Sequence, residues 1–302
     1  MAPAGAPDRC GSAGQADASA SFERDPGRVP LLEVRDLEVS FPIAGEWTPV
    51  VRGVSLAVGH GELVGLVGES GSGKSLTALS VLGLVPPPGR VTGGRVLLRE
   101  PEDPIDLLAL PPGEMRQVRG GRIGMVFQEP ATAFDPVYTI GFQIAEAVRA
   151  HRRMSRRAAR EEAVRLLDRV ALPDARRRLG DYPHQLSGGQ RQRAMIAMAL
   201  AGAPDLLLAD EPTTALDVTL QAQILELLEE LCADLGLAVL LITHDLGVVA
   251  QTCDRVVVMR DGRVVEEAEV GALFRAPAHP YTRELLAALP RLEPSPPRGL
   301  GE

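Results

Sequence analysis

Of the 32 basic residues in this 302-residue chain, all but one are arginine; the single lysine is Lys74. It stands in Gly68-Glu69-Ser70-Gly71-Ser72-Gly73-Lys74-Ser75, a run that fits G-x-x-x-x-G-K-[ST]. Glycines at these places let successive backbone N–H groups turn toward one anion, and a following helix adds its positive N-terminal end. A lysine brings a compact charge to the β- and γ-phosphates of a nucleotide, where a forked guanidinium fits a closed loop poorly. The Ser75 hydroxyl is a ligand for nucleotide-bound Mg2+. Candidate nucleotide contacts therefore run through Gly68, Glu69, Ser70, Gly71, Ser72, Gly73, Lys74, Ser75 and Leu76. The plainer alternative is a glycine-rich turn with an exposed lysine.

A second constellation lies far along the chain. Leu206-Leu207-Leu208-Ala209 reads as an apolar strand with Asp210-Glu211 at its tip. Acids at a buried strand end need partners, and Mg2+ held by a nucleotide is one that suits them. Asp210 is the candidate for the metal shell, and Glu211 for the general base acting on an attacking water. Taken alone, the pair also fits acids favouring a helix N-terminus.

Elements to position these groups are legible around them. Alternation predicts strands at 32–41, 50–58 and 62–67, the last entering the glycine turn. Helical patterning follows at 74–83 and is broken at Pro86-Pro87-Pro88. Apolar residues recur at helical spacing from about 141 to 171, with Ser155 as N-cap of the second helix. Short buried strands are expected at 206–209, 237–243 and 255–259, between helices at 189–201 and 217–235. Asp261-Gly262 turns a hairpin into 263–267. Strand and helix in this rhythm imply a parallel or mixed sheet with helices packed on it. Residues 1–30 read as a disordered tail without the apolar region of a signal peptide, and 290–302 as a proline-rich frayed end.

Three further motifs narrow the reading. Leu186-Ser187-Gly188-Gly189-Gln190 precedes a helix and makes a second anion-ready N-terminus. Gln128 follows the apolar run 123–127, and His244 follows Leu240-Leu241-Ile242-Thr243. Together and in this order, over about 31–290, they make the sequence resemble the ATP-binding subunits of ABC transporters. The resemblance implies an α/β fold of the P-loop NTPase class: a RecA-like mixed-sheet core, an antiparallel β subdomain and an α-helical signature subdomain at about 129–190. It implies an ABC ATPase domain over 31–275 and a C-terminal extension over 276–302. It casts Phe41 as the aromatic that stacks on adenine, with Trp47 as runner-up. Gln128 becomes the Q-loop residue that meets Mg2+ and water and senses the membrane partner. Ser187, Gly188, Gly189 and Gln190 become the signature that reaches a nucleotide held by the opposite subunit. Asp217 belongs to the D-loop across that interface, and His244 is the switch residue that supports Glu211 at the γ-phosphate. One copy of each motif per chain means that it must pair with itself or with a related subunit.

Finer features resemble the peptide-importer branch: Gln128-Glu129-Pro130, Phe134-Asp135-Pro136, Glu211-Pro212-Thr213-Thr214, and above all His279-Pro280-Tyr281-Thr282 followed by Leu285-Leu286-Ala287-Ala288. Val118-Arg119-Gly120 and 195–200 tilt toward the "D" type of that branch's two ATPase subunits. The implied partners are a second, related ATP-binding subunit, two transmembrane permease subunits and an extracytoplasmic solute-binding protein, at the cytoplasmic face of the cell membrane. Peptide and nickel importers share these marks. The net charge of −8 argues against nucleic acid as a partner, as a soluble ribosome-associated ATPase would require. No apolar run approaches the roughly 18–20 residues of a membrane-spanning helix. Three scattered cysteines (Cys10, Cys232, Cys253) exclude a disulfide framework, and no cysteine-bearing tail suggests an iron–sulfur site. Residues 149–178 hold eleven arginines against four acids, which fits either solvated helix faces or a face toward anionic lipid.

Overall fold

The structure, a computed structural model, describes residues 29–288 except 101 and 215. The tail expected up to 30, with Cys10, lies outside the described residues except for its last two positions, and so does the proline-rich end. The chain opens on a hairpin of β1 (Leu32–Ile43) and β2 (Glu46–Val58). The fully buried β3 (Leu63–Val67) runs into the glycine turn, and α1 (Lys74–Val81) leaves it. Next come β4 (Arg90–Leu98), the short β5 (Ile105–Asp106), α2 (Pro112–Val118) and β6 (Ile123–Val126). A run of helices follows: α3 (Pro130–Ala133), α4 (Ile140–His151), α5 (Arg156–Arg169), α6 (Ala175–Arg178) and α7 (Gly188–Ala199). Then strands and helices alternate through β7 (Leu206–Asp210), α8 (Val218–Leu235), β8 (Ala238–Thr243), α9 (Leu246–Thr252) and β9 (Arg255–Arg260). The hairpin partner β10 (Arg263–Glu269), α10 (Val270–Arg275) and α11 (Pro280–Ala287) complete the described chain.

Two sheets result. One is antiparallel, in the order β2-β1-β4-β5; the other runs β10-β9-β3-β8-β7-β6 and is parallel except for β10 on β9. The inner strands β3, β7 and β8 are buried along their whole length, as strands covered on both faces must be. Their period of two divides the core. Ala238, Leu240 and Ile242 of β8 join α1 and the antiparallel sheet, whereas Val239 and Leu241 join α4, α5, α7 and α8. A third apolar cluster forms where α9, α10 and α11 close over Val67, Val256 and Val258.

The expected strands and helices appear, with β2 beginning four residues early. Strand β4 was not anticipated, because Gly93-Gly94 weakens its pattern. Gly94, at φ 92°, is required there: a Cβ would lie 2.6 Å from the Asp36 carbonyl oxygen of β1. The cap expected from sequence is made, Ser155 Oγ accepting from Ala158 N at 3.2 Å; Asp217 also proves to be a cap, its Oδ1 accepting from Leu220 N at 3.0 Å. In the arginine-rich stretch, Arg149, Arg152, Arg165, Arg176, Arg177 and Arg178 pair with acids of the same helical unit. Six of the eleven arginines are thus paired, by five carboxylates, and the unit keeps a net positive charge.

Arg255 is buried in a junction of the two sheets, donating to Glu62 (2.8 Å), to the Ala57 carbonyl (2.6 Å) and to Glu267. Removing one member of such a set leaves buried charge uncompensated. Arg255→Met is expected to lower stability by about 3–5 kcal/mol in urea unfolding; a loss below about 1 kcal/mol would mean that the carboxylates find water instead.

Candidate functional site

The sheet's parallel strands end together, and the loops at those ends hold the chemistry, as open α/β sheets arrange it. After β3 the chain cannot leave without Gly68: its φ is 155°, and a Cβ there would stand 2.1 Å from the Met259 carbonyl oxygen of β9. The loop then curls so that Ser72 N donates to Glu69 O (3.2 Å), while its outer side is tied to the β9–β10 turn by Gly262 N donating to Ser72 O (3.1 Å). Glu69 N donates to the Tyr281 hydroxyl at 3.1 Å.

Lys74 is buried, and its Nζ donates to Gly68 O at 2.7 Å and Glu69 O at 2.9 Å, with Ser72 Oγ at 3.5 Å. Burial pulls its pKa below the usual lysine value, against the opposing charges of Glu211, Asp210 and Glu69. The ammonium is thus enclosed by neutral oxygens, with carboxylates farther off. Leu76 follows in α1, packed against the core.

The acids arrive on β7. Asp210 is buried and accepts from Ser75 Oγ at 2.9 Å; burial pushes its pKa up, with the Ser75 hydrogen bond opposing. Glu211 sits just past the strand at φ 45°, a left-handed conformation that costs a non-glycine residue roughly 1–3 kcal/mol. Its amide is fixed to Ile242 O of β8 at 2.9 Å. Three side chains meet its carboxylate: Gln128 Nε2 (3.1 Å) from the end of β6, Thr214 Oγ1 (2.8 Å), and His244 Nδ1 (3.2 Å) from the end of β8. Burial raises the Glu211 pKa, but the hydrogen bonds from Thr214 and His244 and the nearby charges outweigh it and leave it below the ordinary glutamate value.

Gln128, Asp210, Glu211, His244 and the loop through Ser75 are therefore brought to one place. Thr214 belongs to it as well; sequence reasoning missed that role, whose signal is a hydroxyl three residues beyond an acid at a tight turn. The donors at Ser75 are oxygen: its hydroxyl and the Asp210 carboxylate. Among the described residues no cluster of three or more His, Cys, Asp or Glu could cage a metal. A hydroxyl and one carboxylate fit Mg2+, which takes its other ligands from phosphate and water.

Other expected residues stand apart from this cluster. Ser187 and Gln190 form a reciprocal capping box at the start of α7, Ser187 Oγ accepting from Gln190 N (3.3 Å) and Gln190 Oε1 from Ser187 N (3.1 Å). Gly188 is exposed, and a Cβ on Gly189 would press on Leu220 of α8 at 3.1 Å. Asp217 is engaged as the cap of α8; Ala215 beside it lies outside the described residues. Phe41 on β1 packs its ring against Gly89, and Trp47 is exposed beneath the Arg90 guanidinium, 3.7 Å from the ring centre. No hydrogen bond or ring contact among the described residues joins either aromatic to the phosphate loop.

Comparison with known proteins bears on the whole chain. The ABC transporter family matches residues 51–214, and the oligopeptide/dipeptide transporter C-terminal region matches 265–300. A probable peptide ABC transporter ATP-binding protein of Sinorhizobium fredii is 55% identical over 270 residues, covering 89% of this chain and 79% of that protein. The dipeptide transport ATP-binding protein of Bacillus subtilis is 51% identical over 264 residues, covering 87% and 78%. Among solved structures, a dimeric ATP-binding cassette in a post-hydrolysis state bound to ADP and Pi superposes with TM-score 0.69 at 32% identity, covering 79% of this chain and 98% of that one. A family match over more than half of the chain, with relatives identical at every second position, fixes the membership: the chain belongs to the ABC transporter family, as one of its ATP-binding, ATP-hydrolysing subunits.

Proposed function

We propose that this chain powers the import of di- and oligopeptides, working at the cytoplasmic face of the cell membrane. Its partners in this reading are a second, related ATP-binding subunit, two transmembrane permease subunits and an extracytoplasmic solute-binding protein. The observation that carries the substrate class is the C-terminal match over 265–300, on a chain whose Gln128, Glu211 and His244 meet in hydrogen-bond contact and whose Ser75 meets Asp210. Relatives whose names specify peptide or dipeptide transport support it. No helix among the described residues is long and apolar enough to cross a membrane, so a membrane-spanning partner is part of the reading.

The chemistry follows from the resting contacts. The triphosphate takes Lys74 from the Gly68 and Glu69 carbonyls, because an anionic oxygen is a stronger acceptor for an ammonium than a neutral one. Ser75, Asp210 and Gln128 would hold Mg2+, which when bound neutralises charge on the transferring phosphoryl group. Glu211, ionised and held from three sides, accepts the proton of the attacking water. His244, more than half exposed on its side chain, stabilises that carboxylate and in this reading reaches the γ-phosphate. The exposed Ser187 and Gly188 at the α7 N-terminus then complete a site on the opposite subunit, with Gly189 and Gln190 shaping the helix start and Asp217 across the interface. Phe41 remains the proposed support for adenine. ATP so placed joins the two subunits, and hydrolysis removes the bridging phosphate.

Deleting this chain in its host is expected to abolish uptake of radiolabelled di- and oligopeptides and leave nickel uptake intact; the opposite pattern assigns it to nickel import. In the assembled transporter, Glu211→Gln should reduce ATP turnover about 10²–10⁴-fold while ATP still binds and holds the subunits together. Near-normal turnover in that variant would put the base elsewhere. Lys74→Ala should lose ATP affinity and hydrolysis together, and tight ATP binding by it, measured calorimetrically, would contradict the role given to the lysine.

A further inference from the structure

The His279-Pro280-Tyr281-Thr282 stretch has no part in the chemistry above, yet it touches the phosphate loop. Tyr281, in the first turn of α11, is buried, and its hydroxyl accepts the Glu69 amide hydrogen at 3.1 Å. The two residues are 212 positions apart. We propose that Tyr281 is a positioning residue of the nucleotide site, its hydroxyl fixing the Gly68–Glu69 peptide so that the loop is preset for phosphate.

The Gly68–Glu69 peptide is the point through which this acts. Its N–H is held by Tyr281 and its carbonyl, that of Gly68, receives Lys74 Nζ (2.7 Å); the next carbonyl along, that of Glu69, receives both Lys74 Nζ (2.9 Å) and Ser72 N (3.2 Å). Rotation of that peptide would therefore turn the Gly68 carbonyl off the lysine and shift the neighbouring Glu69 carbonyl that closes the curl of the loop. The anchor itself is firm. Ala278 N and His279 N donate to the two oxygens of Glu266 at 2.8 and 2.9 Å, and His279 Nδ1 accepts from Tyr281 N at 3.1 Å, which caps α11. The Tyr281 ring packs with Val67, Val256 and Val258, the residues that carry β3 and β9 into the site. The Arg260 guanidinium lies 4.7 Å from the ring centre, and two residues later Gly262 N holds the Ser72 carbonyl. Helix α11 and the β9–β10 turn thus clamp the outer side of the loop and leave its inner side to the ligand. A phenylalanine would reproduce the packing; only the hydroxyl can take the amide hydrogen, and without it the partly buried Glu69 N–H loses its protein acceptor.

Tyr281→Phe in the full-length chain tests this, since it removes one oxygen and keeps the ring. Calorimetric affinity for ATP and for ADP is expected to fall about three- to tenfold, the effect of one hydrogen bond. In the assembled transporter the KM for ATP should rise by the same factor, with kcat at saturating ATP within about twofold. The melting temperature without nucleotide should stay close to that of the parent, because the apolar contacts survive. Amide exchange at Glu69 supplies a readout on the unaltered protein: it should be slow without nucleotide and faster in the variant. A Tyr281→Phe chain that matches the parent in nucleotide affinity and KM, or a parent whose Glu69 amide exchanges as fast as an open loop, would overturn the proposal. Failure of the parent itself to bind ATP or ADP would instead overturn the nucleotide-binding reading on which this rests.

Discussion

A buried ammonium has to be held, and held weakly enough to be given up. That condition organises this molecule around Lys74. A carboxylate in direct contact would bind it too firmly for a phosphate to compete; water would not reach it. The solution is a pair of backbone carbonyls, Gly68 O and Glu69 O, with Asp210 and Glu211 contributing field at longer range. Neutral oxygens satisfy the charge at rest and, in the proposed cycle, lose it to an anion. The same loop that would otherwise direct carbonyls outward can do this only because Gly68 passes within contact of the Met259 carbonyl, where no side chain fits.

The remainder of the site is an answer to a second demand, that a carboxylate stay ionised and aimed while partly shielded from water. Glu211 stands in a left-handed conformation that its sequence neighbours do not favour, and it is kept there by its amide bond to β8 and by side chains from the ends of β6 and β8 and from its own turn. Three strands that are parallel and adjacent, β6, β7 and β8, are what allow those groups to converge. The apolar runs in these strands are long because both faces are covered, by the antiparallel sheet and α1 on one side and by the helical unit on the other.

What was legible in the sequence was local. The glycine-rich loop, the two acids at a strand tip and the Ser155 cap are each written within a few residues, and the structure forms them as such. Gln128 and His244 were recognised from the order of motifs, and their meeting at Glu211 needed the sheet order to be seen. Strand β4 was hidden by its paired glycines, which serve a close approach to β1. Tyr281 was noted only as part of a C-terminal element, because a contact between residues 69 and 281 leaves no mark in periodicity or spacing. The adenine side stays the least constrained part: Phe41 rests on Gly89, and Trp47 is open beneath Arg90.

Within one chain Ser187 and Gly188 at the start of α7 are exposed, with Leu216 and Leu220 beneath its glycines, and no hydrogen bond among the described residues joins them to the lysine cluster. A nucleotide in the loop would so be gripped on one side only, and the account requires a second subunit to supply the other. Electron cryomicroscopy of the assembled transporter, frozen with ATP under conditions that block hydrolysis, addresses this directly. The account predicts a terminal phosphate lying between Lys74 and the Ser-Gly-Gly helix start of the neighbouring ATPase subunit, within hydrogen-bond reach of both. Density for ATP in the loop with that phosphate facing solvent, and no second subunit against it, would contradict the account.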